Sequence, residues 1–131
     1  MKRLERDLTT SLHHLNLDGA ELSVLFVNSR RMKLLNTRYR GIPKDTDVLS
    51  FPLMDEGFRN NEIALGDIVI SVPRALAQAE EYKVTFYDEL VRLLVHGLLH
   101  LIGYDHEINS YQKKKMERKE RELLCALHEM G

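Results

Sequence analysis

Three histidines in the second half of the chain are spaced so that they could bind one metal ion: His96, His100 and His106. The first two are four residues apart in a leucine-rich run, so on a helix they would lie on the same face. Gly103 can adopt the left-handed conformation that ends a helix and turns the chain, which would bring His106 back towards the other two. Three imidazoles without a fourth protein ligand are typical of a catalytic zinc site, where water fills the open position.

This pattern predicts one zinc ion per chain at the end of a buried central helix, although nickel or iron would also accept imidazole ligands. A lone histidine in an apolar helix is more often a core residue with hydrogen-bond partners. Two rings four residues apart would both need such partners within a wall of leucines, which disfavours that alternative.

The chemistry of such a zinc site would suit either a peptide or a phosphodiester, because bound zinc brings the pKa of water to about 7 and polarises carbonyl and phosphoryl oxygens. The histidine spacing matches the metzincin peptidases, in which a glutamate general base follows the first histidine. Gly97 occupies that position here. General acid–base catalysis raises the reaction rate about 10²–10⁴-fold, so the absence of this glutamate disfavours peptide hydrolysis.

A basic stretch supplies the charge that phosphodiester chemistry would need. Between Asn28 and Lys44 there is no acidic residue and there are six basic ones: Arg30, Arg31, Lys33, Arg38, Arg40 and Lys44. This asymmetry predicts a footprint for an anionic partner such as RNA, but the same composition also suits a solvated helix face. Arg40 ends a predicted helix beside a flexible loop, and its planar guanidinium fits phosphate oxygens; an ordinary surface arginine is the alternative there.

The bulk composition indicates a globular protein in a reducing compartment. The chain has 131 residues, 44% of them hydrophobic, and a net charge of −1, so we expect one domain over residues 1–131 and no uniformly basic surface. Its one cysteine, Cys125, excludes an internal disulfide and is expected to be a packing residue. The N-terminus lacks the apolar stretch of a signal peptide and no segment is long enough to span a bilayer, which predicts a cytoplasmic protein.

Hydrophobic periodicity predicts an α+β fold in which about five helices flank a small mixed sheet of three to four strands. Within this fold Met32, Leu35 and Tyr39 are expected to face inward, and Gly66 to mark a bulge or close approach. The predicted helices cover residues 2–15, 29–39, 72–81, the run from Thr85 through His100, and 110–127. The predicted strands are 21–27, 48–51 and 62–71, with a polar connection at 54–61.

Three stretches resemble the YbeY-type endoribonucleases, also called rRNA maturation factors. They are Leu35–Arg40 with Thr46–Pro52, then Leu65–Ser71, and the histidine motif from His96 to His106, which matches the pattern H-G-x-L-H-L-x-G-Y-D-H at every fixed position. The chain departs from the family in its short N-terminal helix, its compact connection at 54–61, and Asp45 where a proline often precedes the threonine.

The resemblance implies a zinc-dependent endoribonuclease that acts on single-stranded RNA, matures ribosomal RNA at the small-subunit 3′ end, and serves ribosome quality control. It implies His96, His100 and His106 as metal ligands, His96 and Arg40 as catalytic residues, and ribosomal RNA and small-subunit proteins as partners. Asp105 is a candidate to orient a ligand histidine, although an aspartate there more often stabilises the turn. Two other hypotheses remain open: a zinc metallopeptidase, and a ribosome-associated RNA-binding factor whose zinc is structural.

Overall fold

The computed structural model describes residues 2–53, 58–59 and 62–130 and has the predicted α+β architecture. The described residues form five helices and four strands. In order they are α1 (Lys2–His14), β1 (Glu21–Val27), α2 (Ser29–Arg40), β2 (Val48–Pro52), β3 (Phe58–Arg59), β4 (Glu62–Ser71), α3 (Val72–Tyr82), α4 (Phe86–Leu101) and α5 (Ser110–Met130).

The sheet is mixed, with β4 at its centre. The strand order is β1-β4-β2; β1 runs parallel to β4, and β2 runs antiparallel to it. The two-residue strand β3 pairs with the start of β4. The long apolar strand therefore lies between two neighbours, as its Val- and Ile-rich sequence predicts.

The two faces of β4 pack against different helices. Ile68 and Ile70 join the large core formed with α4 and parts of α1, α3 and α5. Val69 points the other way, into a smaller core with Met32 of α2 and Leu49 of β2. Alternation along a strand sends neighbouring side chains to opposite faces, so the sheet separates α2 from the helix that carries two of the histidines.

Gly66 confirms the expected close approach. Its φ is +136°, and a Cβ there would lie 2.2 Å from the carbonyl oxygen of Phe51. The register between β1 and β4 shifts at the same point, because Glu21 pairs with Ala64 and Leu22 with Gly66. Only glycine lets β2 and β4 come this close with that backbone conformation.

Three expectations need correction. Tyr39 is 57% exposed and packs edge-on against Phe51, with 5.2 Å between ring centroids, because the buried contact of α2 with the sheet is made by Met32 and Leu35. Cys125 is exposed on α5, since the core-facing stripe of that helix passes through Leu123 and Leu127 instead. Phe58–Arg59 form β3 inside the expected connection; the rest of that segment, 54–57 and 60–61, lies outside the described residues.

None of the helices in the described part of the chain has the length and hydropathy needed to span a bilayer.

Candidate metal centre

Helix α4 carries the first two histidines on one face. Thr85 caps the helix by accepting the backbone N–H of Asp88, which satisfies one of the free donors at the N-terminus. Beyond the first turns nearly every side chain is buried, including Leu93, Leu98 and Leu99. This apolar packing fixes the rotation of α4 about its axis, so the half-buried His96 and His100 point away from the core into a cleft.

The turn after α4 returns the third histidine to the same place. Gly103 has a φ of +104°, and the backbone N–H of Tyr104 donates to the carbonyl of Leu99. Asp105 Oδ1 accepts the backbone N–H of Glu107 at 2.8 Å, which is the hydrogen bond of an Asx turn. These contacts hold the peptide on both sides of His106.

The three histidines are close enough to hold one metal ion. Each offers a ring nitrogen, and these ligand atoms lie within 4.8 Å of one another. His100 Nε2 is 3.1 Å from His106 Nδ1, and the ring centroids of His96 and His100 are 4.8 Å apart. The nitrogen donor set suits zinc and other borderline divalent metals.

A carboxylate from the last helix fixes the first histidine. His96 Nδ1 donates to Glu120 Oε1 at 2.5 Å, and the side chains are 24% and 18% exposed. A carboxylate can only accept, so Nδ1 carries the hydrogen and Nε2 keeps its lone pair. This is the arrangement of a metal-ligand histidine with a supporting carboxylate. The sequence had suggested Asp105 for this role, and no local signal marks Glu120 within the charged helix α5.

Burial also favours the metal-binding form of a second histidine. It lowers the pKa of His100 below its ordinary value, and the nearby His96 and His106 lower it further. Asp105 and the backbone hydrogen bond to Tyr104 act in the opposite direction. The net effect favours the neutral imidazole, which is the form that binds a metal.

The histidines line a cleft of about 550 Å³ together with two arginines, Arg40 and Arg92. Arg40 reaches the cleft from the end of α2, where its Nη1 lies 3.4 Å from Asn36 Oδ1. Arg92 is held by Glu89, which is 1% exposed and accepts from Arg92 Nε and Nη2. Arg92 was not predicted from the sequence as a cleft residue, although Arg92 precedes His96 by four residues and so lies on the same helix face.

Gly97 lies where α4 meets the sheet. Ser50 Oγ donates to the Gly97 carbonyl at 2.8 Å, and a Cβ at Gly97 would lie 2.9 Å from Ile68 Cγ2 and 3.1 Å from Ser50 Oγ. A side chain of any size there would push the helix off the strands. The position that holds the metzincin glutamate is therefore closed to a glutamate in this fold.

The predicted basic stretch divides between two cavities. Arg40 lines the histidine cleft, whereas Arg30, Lys33 and Lys44 line a second groove of about 510 Å³. Arg31 and Arg38 are exposed on α2, with the Arg38 guanidinium 5.5 Å from the ring of Tyr39. Thus the structure brings Arg40 to the histidines and places the other five basic residues elsewhere.

The chain is similar to known endoribonucleases. The chain is 47% identical over 116 residues to the endoribonuclease YbeY of Sulfurihydrogenibium, covering 88% of this chain and 76% of that protein. It is 46% identical over 114 residues to the endoribonuclease YbeY of Geobacillus thermodenitrificans, covering 82% and 72%.

The solution structure of TM1509 from Thermotoga maritima is also similar, with a TM-score of 0.68 and 31% sequence identity over 96% of this chain and 79% of that one. The family model described as Endoribonuclease YbeY matches residues 1–128. The chain belongs to the YbeY endoribonuclease family.

Proposed function

We propose that this protein is a zinc-dependent endoribonuclease that cleaves single-stranded RNA. The family membership supports a nuclease, and the resemblance in the histidine motif supports the finer assignments. These are action on ribosomal RNA in the cytoplasm, notably at the small-subunit 3′ end, a role in ribosome quality control, and contacts with small-subunit proteins.

The observation that carries the proposal is the convergence of three histidines and Arg40 in one cleft. A metal ion held by His96, His100 and His106 would supply Lewis acidity and a water of lowered pKa near a bound phosphate. The three histidines would hold that metal, and Glu120 holds the ring of His96.

Arg40 is proposed to bind the phosphate and to stabilise the negative charge that develops on its oxygens during cleavage. Arg40 is exposed, and no acidic partner lies within ion-pair distance in the described part of the chain. Arg92 already shares its charge with Glu89. Therefore Arg40 is the stronger of the two cleft cations for an incoming phosphate.

The peptidase alternative lacks support at Gly97, where packing against Ile68 and Ser50 leaves no room for the glutamate base. A structural zinc is also disfavoured, because structural sites are closed by four protein ligands. Here three histidines border an open cleft, and the Glu120 carboxylate contacts a ring nitrogen of His96.

The test is cleavage of a single-stranded RNA that carries a small-subunit 3′ end, with and without a chelator. We expect wild-type protein to cleave it and both chelation and His96→Ala to abolish cleavage, because the site loses its metal. The metal content of each protein is measured in parallel by mass spectrometry, with about one ion per chain expected in the wild type.

His13→Ala is the matched control, since His13 is an exposed histidine on α1 whose Nδ1 lies 2.9 Å from Asp18 Oδ1 and which does not line the histidine cleft. It should keep both the metal and the cleavage. Cleavage that survives chelation would overturn the metal dependence. Intact RNA with a fully loaded wild-type protein would overturn the nuclease assignment, and digestion of a peptide library would favour the peptidase.

A further inference from the structure

The second groove lies between the beginnings of α2 and α3, and four of its lining residues are cationic: Arg30, Lys33, Lys44 and Arg74. They come from three separate parts of the chain, the first turns of two helices and the loop after α2. One carboxylate, Asp45, also lines the groove. In the described ranges 2–53, 58–59 and 62–130, none of the four cations takes part in an ion pair.

The helices add to this positive potential. Arg30 is the second residue of α2, and Arg74 is the third residue of α3. Neither helix has an acidic residue in its first turn, so the partial positive charge of each N-terminus is not offset locally. The helices contact each other, and their positive ends reinforce the side-chain charges of the groove.

The loop after α2 is held in place at both ends. Asn36, which is 2% exposed, donates through Nδ2 to the carbonyl of Lys44 at 2.8 Å. At the other end the backbone N–H of Ser71, the capping residue of α3, donates to the carbonyl of Asp47 at 2.9 Å. The groove is therefore formed by a fixed loop between two helix ends.

The same loop separates the groove from the histidine cleft. Lys44 and Asp45 line the groove, and the next two residues, Thr46 and Asp47, line the cleft. Adjacent Cα atoms are about 3.8 Å apart, so the two cavities are neighbours. Asn36 serves both, because its Oδ1 accepts from Arg40 in the cleft while its Nδ2 holds the loop of the groove.

We propose that the groove is a second phosphate-binding site, in which Arg30, Lys33, Lys44 and Arg74 hold the backbone of single-stranded RNA beyond the cleft. The proposal rests on the proposed function for its ligand. The phosphates of an RNA strand follow one another at short intervals. One phosphate can therefore lie beside Arg40 while later ones lie beyond the loop in the groove. Arg74 could not be assigned to this site from the sequence, because it lies 30 residues beyond Lys44.

The experiment compares Lys33→Ala/Arg74→Ala with Lys113→Ala/Lys114→Ala, using the metal-loaded full chain. All four side chains are exposed, and both double variants remove two positive charges. The control pair lies on α5 and lines neither cavity within the described residues. Binding of labelled single-stranded RNA is followed by fluorescence anisotropy over the interval in which a gel detects no cleavage.

Two RNA lengths separate the sites: one of about 12 nucleotides, within the range a single-strand-binding domain covers, and one of about 3 that fits the cleft alone. We expect the groove variant to bind the longer RNA about tenfold more weakly at low salt and to lower the salt slope by about 1.4, because each of the two lost phosphate contacts on a single strand contributes about 0.7. Its affinity for the shorter RNA, and its cleavage of RNA bound at saturation, should equal those of the wild type. The control variant should also bind the longer RNA more weakly, but its change in log Kd should be less than about a third of that of the groove variant.

Equal losses in the groove variant and in the control would overturn the proposal, as would displacement of the long RNA by poly-glutamate as effectively as by unlabelled RNA. Loss of binding to the short RNA would also overturn it, because the cleft would then share the effect. If the wild type binds long RNA through the groove but does not cleave it, the nuclease assignment fails and the groove stands. If the wild type cleaves RNA and the groove variant matches the control, only the groove fails.

Discussion

The histidine cleft and the basic groove are neighbours that differ in how they are built. The three histidines of the cleft are half-buried, and two of them lie on α4, whose apolar side chains fill the largest core. His96 is tied to Glu120, and Arg92 to Glu89. The groove presents four long cationic side chains that have no ion-pair partner in the described residues, on helix ends and a loop at the surface.

This difference matches what the two proposed roles require, metal binding in the cleft and RNA binding in the groove. A metal site needs ligands held to within a fraction of an ångström, and a packed core with supporting hydrogen bonds provides that. Holding a nucleic-acid backbone needs positive charge near phosphates and tolerates mobile side chains. We therefore expect substitutions in the cleft to affect metal binding and chemistry, and substitutions in the groove to affect RNA affinity and its salt dependence.

The largest effect is expected from Arg40, the cleft residue that belongs by sequence to the basic stretch. Arg40→Ala should lower kcat for RNA cleavage by about 10²-fold, because a donor aimed at developing phosphoryl charge is lost. Metal content should not change. Single-turnover cleavage at saturating protein measures this effect.

Arg38→Ala is the control. Arg38 lies two residues before Arg40, is exposed on α2 and carries the same charge. If Arg40→Ala lowers the affinity for RNA but leaves kcat unchanged, Arg40 acts in RNA binding as the groove residues do. The contrast drawn between the cleft and the groove would then be wrong.

Glu120 tests whether the cleft depends on its supporting carboxylate. Glu120→Gln keeps the shape of the side chain but weakens the acceptor for His96 Nδ1, so the affinity for zinc should fall about 10–100-fold. Competition with a chromophoric chelator measures this without reference to cleavage. Glu117→Gln, an exposed change on the same helix, should leave the affinity unchanged. Equal affinities in the two variants would remove Glu120 from the metal centre.

A smaller effect is expected at Gly97, where the cleft depends on the packing of α4 against the sheet. A methyl group there would lie 2.9 Å from Ile68 Cγ2. Overpacking typically costs about 1–3 kcal/mol, and the better helix propensity of alanine returns about 1 kcal/mol. Gly97→Ala should therefore lower the free energy of unfolding by up to about 2 kcal/mol in urea denaturation.

Ser50→Ala separates packing from hydrogen bonding at the same contact. It loses only the 2.8 Å hydrogen bond to the Gly97 carbonyl, which is worth about 1 kcal/mol. Both variants should keep the wild-type salt slope for long RNA, because the groove lies on the other side of the loop. A more stable Gly97→Ala protein would show that the helix can shift freely, and the rigidity assigned to the cleft would be wrong.

The sequence alone determined the elements and the histidine cluster, because both depend on short-range patterns. Alternation of apolar residues predicted β1 and β4, and helical periodicity with capping residues such as Ser71 and Thr85 predicted the starts of α3 and α4. The four-residue spacing of His96 and His100, followed by Gly103, predicted the histidine cluster because the geometry of one helix and one turn is local. The mixed sheet and the five helices are confirmed.

Only the tertiary structure decided which distant residues meet. Glu120 reaches His96 across 24 positions, and Arg74 joins Lys33 through the contact of two helices. The tertiary structure also separates members of the basic stretch, because Arg40 lines the cleft and Lys44 lines the groove on the other side of one loop. No local pattern carries such information, because long-range contacts depend on how whole faces of helices and sheet pack. For the same reason the exposure of Tyr39 and Cys125 could not be read from periodicity.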